Sequence, residues 1–165
     1  MGNAMIRRAA AVLLLIVSSC YVSVAEPITA HDITIVDGDT IDAHGQRYRM
    51  IGYDTPEVTT PRRKVGPDEK ALAAIAKERF AELMQSGQLD LTEVPCSCSA
   101  QKLADGTCNH GRKCAVLMLN GKNIGDTLIA EELAMPFVCS KTRCPKMPDW
   151  PSIIQRQNEA MRTRQ

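Results

Sequence analysis

The sequence is short of aromatic residues, of charge of one sign, of repeats and of long apolar runs, and each shortage removes a class of function. Aromatic side chains make up 4% of the 165 residues, too few for the broad stacking platforms on which single-strand binding modules lay successive bases. Twenty Lys and Arg against nineteen Asp and Glu leave a formal charge of +1, so no whole-protein field gathers polyanions and any nucleic-acid contact must be local. No internal repeat, low-complexity stretch or linker interrupts the chain, which leaves the composition of one ordinary globular domain. The longest apolar run is broken by Ser18, Ser19 and Cys20 before it reaches the roughly 20 residues a membrane span requires.

That run has the layout of an export signal. Arg7 and Arg8 form a positive start, Ala9 to Val17 an apolar stretch, and Ser23-Val24-Ala25 puts small residues where a signal peptidase cuts. Residues 1–25 are therefore expected to be a signal peptide and residues 26–165 the exported domain, periplasmic or secreted. Val17-Ser18-Ser19-Cys20 also has the form of a bacterial lipobox, and in that alternative Cys20 carries a lipid anchor. Cleavage after Ala25 leaves six cysteines, Cys96, Cys98, Cys108, Cys114, Cys139 and Cys144, and an even number in an exported chain is the mark of disulfides.

Ile33 to Val36 and Thr40 to Ala43 are short β-prone runs joined through Asp37-Gly38, and His44-Gly45 leads into a third strand over Gln46 to Tyr53. Gly66-Pro67-Asp68-Glu69 opens a helix, with proline at the first helical position and acids in the first turn. Leu72, Ile75, Ala76, Phe80 and Leu83 recur at helical spacing, and Gly87 follows the end. Leu89 to Val94 and Cys114 to Leu119 read as the fourth and fifth strands, on either side of a cysteine-rich excursion. Asn120-Gly121 marks a hairpin, Ile124 to Leu133 a short helix and Ser152 to Arg164 a last helix with a charged outer face. Five strands with a helix between the third and fourth point to an α+β fold, an OB-type Greek-key barrel with about three packed helices.

Asp37-Gly38-Asp39-Thr40 and Asp54-Thr55-Pro56-Glu57 set acidic side chains at strand ends, where short carboxylates converge readily on a hard cation. Aspartate in a turn is common for local reasons, and Asp37 is adequately explained that way. Asp39 and Asp54 belong to separate turns that the strand pair would bring together.

Val36-Asp37-Gly38-Asp39-Thr40, then Arg49-Met50-Ile51-Gly52-Tyr53-Asp54-Thr55-Pro56-Glu57, then His110-Gly111-Arg112 resemble, in order and spacing, the signature segments of the staphylococcal nuclease-like (thermonuclease) family. The resemblance extends over roughly Ile33 to Arg164. It implies that Asp39 and Asp54 give carboxylate oxygens, and Thr55 its carbonyl, to a calcium ion. It also implies that Glu57 activates the attacking water, and that Arg49 and Arg112 grip the scissile phosphate. Arginine suits that work because its planar fork pairs with phosphate oxygens and stays protonated. The activity implied is phosphodiester cleavage at the 5′ oxygen of DNA or RNA, leaving 3′-phosphate ends, with little sequence specificity and no stable protein partner; a monomer is expected. One strand-parity conflict accompanies it: an undistorted strand sends Arg49 and Asp54 to opposite faces, which predicts a bend or bulge near Gly52.

The sequence also departs from the family. His110 and Phe137 lie where tyrosines are found in it, and His110 remains a phosphate-donor candidate. Arg62, Arg63 and Lys64 follow the acidic motif and are candidate contacts to flanking phosphates. The segment from Cys96 to Cys114 is longer than its counterpart. Its cysteines with His110 present donors for zinc, but the Cys-x-Cys spacing and the exported context favour disulfides. Cys139 and Cys144 then pair across a short turn, and Cys96 and Cys98 pair with Cys108 and Cys114 in an order that stays open. Two functional classes remain: an exported calcium-dependent nuclease, or an OB-type binding module of the cell envelope that has lost catalysis. Degenerate copies usually lack an acid or an arginine, whereas Asp39, Arg49, Asp54, Glu57 and Arg112 are all present.

Overall fold

The structure, a computed structural model, describes residues 26–141 and 143–163. The expected signal peptide over residues 1–25, Cys20 and the last expected helical residue, Arg164, lie outside them. Along the chain run β1 (Glu26–Ile28), β2 (Ile33–Asp37), β3 (Thr40–Ala43), β4 (Gln46–Met50), β5 (Gly52–Asp54) and α1 (Pro67–Met84). They are followed by β6 (Leu89–Val94), α2 (Ala100–Ala104), β7 (Lys113–Leu119), β8 (Lys122–Asn123), α3 (Ile124–Ala130), β9 (Met135–Phe137) and α4 (Trp150–Arg162).

The fold is mixed α+β. Its main sheet has the order β1-β6-β7-β4-β3-β2, with β8 paired to β7, and β5 and β9 make a separate ladder. All pairings are antiparallel except β4 with β7. The main sheet is open: β1 and β2 form its two edges, so the hydrogen-bonded ladder does not close into the barrel expected from the sequence. The five expected strands are present as β2, β3, β4, β6 and β7, joined by short strands that carry little hydrophobic pattern of their own. Four helices lie among the described residues, the additional one being α2, inside the cysteine-rich excursion. None is long and apolar enough to cross a membrane.

Turn chemistry builds the β2–β3–β4 meander. His44 and Gly45 take φ of 50° and 75°, the left-handed pair of a two-residue hairpin turn that matches strand twist. Gly38 is required for another reason: a Cβ there would lie 2.7 Å from Thr55 Cγ2, so only glycine lets the β2–β3 turn press against the residue after Asp54. The third expected strand is split. Its ladder stops at Met50, the Ile51 amide turns to donate to the Ala115 carbonyl at 3.0 Å, and Gly52 takes φ +95° before β5 begins. That is the bend the parity conflict required, and it returns Asp54 to the side of Arg49.

The core gathers Ile41, Ala43, Met50 and Tyr53 from the meander and its continuation, Leu89, Ala115 and Leu117 from β6 and β7, and Ile124 and Leu128 from α3. Onto it α1 lays Ala76, Phe80, Leu83 and Met84, and a large side chain such as Phe80 contributes about 1.5–3 kcal/mol when fully buried. The inward face is not quite the expected one, because Ile75 is exposed and Leu72 only half-buried. Ile75 precedes Phe80 by five positions, roughly 140° around the helix, so burying Phe80 turns Ile75 outward. In α4 the buried stripe is Trp150, Ile153 and Ile154, starting two residues before the expected helix start.

Candidate active site

Strand register assembles the site. Thr40 on β3 faces Arg49 on β4, which sets Asp39 of the preceding turn beside the arginine. The bend at Gly52 brings Asp54 to its other side. The Arg49 guanidinium therefore lies between two carboxylates: Nη2 donates to Asp54 Oδ1 at 2.7 Å, and Nη1 forms an ion pair with Asp39 Oδ2. Asp39 Oδ2 also accepts from the Thr55 amide at 2.9 Å and the Thr55 hydroxyl at 3.1 Å, and its Oδ1 accepts from the Thr40 hydroxyl at 3.1 Å. Asp54 Oδ2 accepts from the Trp150 indole at 2.9 Å. Asp39, Asp54 and Thr55 are all buried, and among the described residues no buried side-chain polar atom lacks a partner.

Electrostatics tie further residues to this centre. Burial, then repulsion from Asp39, pushes Asp54 up to about 6 despite Arg49 and Trp150. Burial, then Asp39, Asp54 and Asp37, pushes Glu57 up to about 7. Burial and Asp39 likewise raise Asp37. For Arg49 burial works downward, but Asp39 and Asp54 outweigh it and hold the guanidinium above its ordinary value. Arg112 is lowered by burial and by the neighbouring Arg49, with Asp39, Asp37 and Glu57 pulling the other way. One cluster thus holds Asp37, Asp39, Asp54 and Glu57 against the cations Arg49 and Arg112, a surplus of mutually repelling carboxylates whose charge a divalent cation would offset. Asp39 and Asp54 present the hard oxygen donors that calcium takes. Among the described residues no group of three or more His, Cys, Asp and Glu side chains is disposed to hold a metal ion, so ligands beyond these two carboxylates must come from the backbone, such as the Thr55 carbonyl, or from water.

Two residues that sequence reasoning passed over support the centre. Glu69, read there only as an acid in the first turn of α1, is a buried anchor: Oε1 accepts from the Glu57 amide at 3.2 Å, and Arg63 forks onto both carboxylate oxygens at 2.6 Å. The loop bearing Glu57 is thereby tied to α1, and Arg63 is engaged with Glu69 within its own chain, while Arg62 and Lys64 stay exposed. Trp150 is the other. As the only tryptophan, and one that is buried, its N–H was bound to need an acceptor, but nothing local identified that acceptor as Asp54, 96 positions earlier.

The cysteines pair as Cys96–Cys114, Cys98–Cys108 and Cys139–Cys144. The last is the expected pair, and the open order within the excursion is now defined. With these sulfurs paired, the geometry favours the disulfide reading, in which no thiolate remains for zinc. His110 is exposed and in the left-handed region at φ 58°, and Phe137 lies half-buried opposite Gly52 in the β5–β9 ladder. The parallel β4–β7 register sets Arg49 opposite Cys114, so Arg112 emerges beside the meander just before β7. Its Nε donates to the Asn109 carbonyl at 3.1 Å and its Nη2 to Asn109 Oδ1 at 3.0 Å. No protein-family model matches the sequence, and no curated protein matches it.

Proposed function

We propose that the protein is a calcium-dependent nuclease of the staphylococcal nuclease-like kind, hydrolysing phosphodiester bonds of DNA or RNA with little sequence specificity. The observation that carries this reading is the buried Asp39–Arg49–Asp54 arrangement, with Glu57 and Arg112 in the same electrostatic cluster. Asp39, Asp54 and the Thr55 carbonyl would hold the ion, which supplies polarisation of a phosphoryl oxygen and helps to place the nucleophile. Glu57 takes a proton from water as the water oxygen attacks phosphorus, the bond to the 5′ oxygen breaks, and that oxygen takes up a proton from solvent to leave as the 5′-hydroxyl. A carboxylate raised to about 7 is well matched to accepting a proton near neutrality. Arg49 and Arg112 donate to the phosphate oxygens on which charge grows. Contacts of this kind read phosphate rather than base edges, hence the broad specificity.

On this reading the five principal strands β2, β3, β4, β7 and β6 correspond to an OB-type Greek-key barrel whose remaining seam lies between β2 and β1, the short strand paired to β6. The three disulfides form in oxidising surroundings, which supports export to the periplasm or beyond. A second reading, a binding module without catalysis, is favoured by one observation: both arginines are occupied by partners within the chain. Cleavage of single-stranded DNA and of RNA by the oxidised chain, in calcium and in chelator, beside Glu57→Gln, separates the two. Calcium-dependent cutting that the variant loses supports the nuclease; no cutting by a folded chain with any common divalent ion supports the binding module.

A further inference from the structure

Asn109, His110 and Gly111 stand consecutively in the left-handed region, at φ of 49°, 58° and 77°. A single non-glycine residue there costs about 1–2 kcal/mol, so two in succession persist only where their surroundings over-determine them. Here the excursion is stapled on both sides, by Cys98–Cys108 just before Asn109 and by Cys96–Cys114 just after Arg112. The product of this turn is a clasp. The Asn109 carbonyl accepts from both the amide and Nε of Arg112, at 3.2 and 3.1 Å, and Oδ1 accepts from Nη2 at 3.0 Å. The Asn109 side-chain nitrogen lies 3.4 Å from Cys114 Sγ, so the carboxamide is seated against the disulfide itself. Among the described residues Nη1 of Arg112 has no hydrogen-bond partner, and Asp39, Asp37 and Glu57 are near enough to act on the half-buried guanidinium's charge.

We propose that Asn109, braced by the Cys96–Cys114 disulfide, is the positioning residue for Arg112, holding one edge of the guanidinium so that the other edge is presented to substrate phosphate. The proposal rests on the nuclease reading for its kinetic consequence, but the clasp is measurable without it. Asn109→Gly is the informative change, because glycine keeps the left-handed backbone and removes only the carboxamide. In the oxidised full chain it is expected to lower kcat about tenfold to a hundredfold with KM little changed, the range for losing a supporting contact. Combined with Arg112→Ala it is expected to add no further loss, and the double variant Cys96→Ser with Cys114→Ser should behave in the same way. The second readout is nitrogen NMR of the Arg112 Nη2 protons, the ones bonded to the Asn109 carboxamide, identified by their disappearance in Arg112→Ala. They should be slow to exchange in the parent and rapidly exchanging in Asn109→Gly, whereas Nε–H, bonded to the main-chain carbonyl that glycine keeps, should change little. An equal loss of rate in both backgrounds, an unchanged rate, or an unchanged Nη2 signal would each overturn the proposal. If the parent chain itself fails to cut, the nuclease reading fails, and the Nη2 exchange still decides whether the Asn109 side chain holds Arg112.

Discussion

Arg49, on β4, and Arg112, just before the neighbouring strand β7, are held by opposite means. Arg49 sits between two buried carboxylates whose positions follow from strand register and the bend at Gly52. Arg112 sits at the end of a disulfide-bound excursion and is held by a neutral carboxamide and a carbonyl. The first arrangement belongs to the fold, since removing the cation would leave buried charge without compensation. The second belongs to the site, since little else depends on it. Stability and activity should therefore separate between the two arginines.

The largest effect on stability is expected from Arg49→Ala. It strands Asp39 and Asp54 and should cost about 3 to 5 kcal/mol, the scale for breaking a buried pair from one side; urea unfolding measures it, and added calcium should recover part of the loss. Arg112→Ala should leave the urea midpoint nearly unchanged while slowing cleavage by about two or more powers of ten, as when one charge-stabilising donor is lost. Equal destabilisation by both changes would erase the distinction.

Glu69→Gln sharpens the comparison from a third side. It weakens the Arg63 fork and the tie to the Glu57 amide, and should cost about 1.5–3 kcal/mol, the worth of a charge-assisted bond, together with a fall in rate from the loosened Glu57. A rate that stays at the parent value would remove Glu69 from the support of the site.

The smallest expected effect is on pH dependence without divalent ions. Asp54 and Glu57 are raised, to about 6 and about 7, so the folded chain still holds protons that the unfolded chain has released. Their contribution to stability is full in acid and is lost as pH rises through those values. The melting temperature of the metal-free chain should therefore fall between about pH 5 and pH 8, and calcium should reverse the fall by offsetting the carboxylate charge. A melting temperature that rises over that interval would contradict the repulsion inferred for the cluster.

What was legible in the sequence was local. Asp37-Gly38, His44-Gly45 and Asn120-Gly121 announce their turns, Pro67 opens α1, and the bend near Gly52 follows from strand parity once the resemblance sets Arg49 and Asp54 in one site. What was not legible depends on distant partners. The parallel pairing of β4 with β7 joins segments separated by two strands and two helices, and the Trp150–Asp54 bond spans most of the chain. The placement of Ile75 was misjudged because helical spacing allows more than one face, and only the seat of Phe80 decides between them. Asn109 carries no motif of its own; its role appears only once the disulfides close the excursion around Arg112.

End-group analysis of the products tests most directly the proposal that Asp39, Arg49, Asp54, Glu57 and Arg112 form one phosphodiester-cleaving centre. With single-stranded DNA and calcium, the oxidised chain should release fragments bearing 3′-phosphate and 5′-hydroxyl ends, and none in chelator or with Glu57→Gln. Fragments ending in 3′-hydroxyl and 5′-phosphate, or cutting that persists in the Glu57 variant, would contradict it.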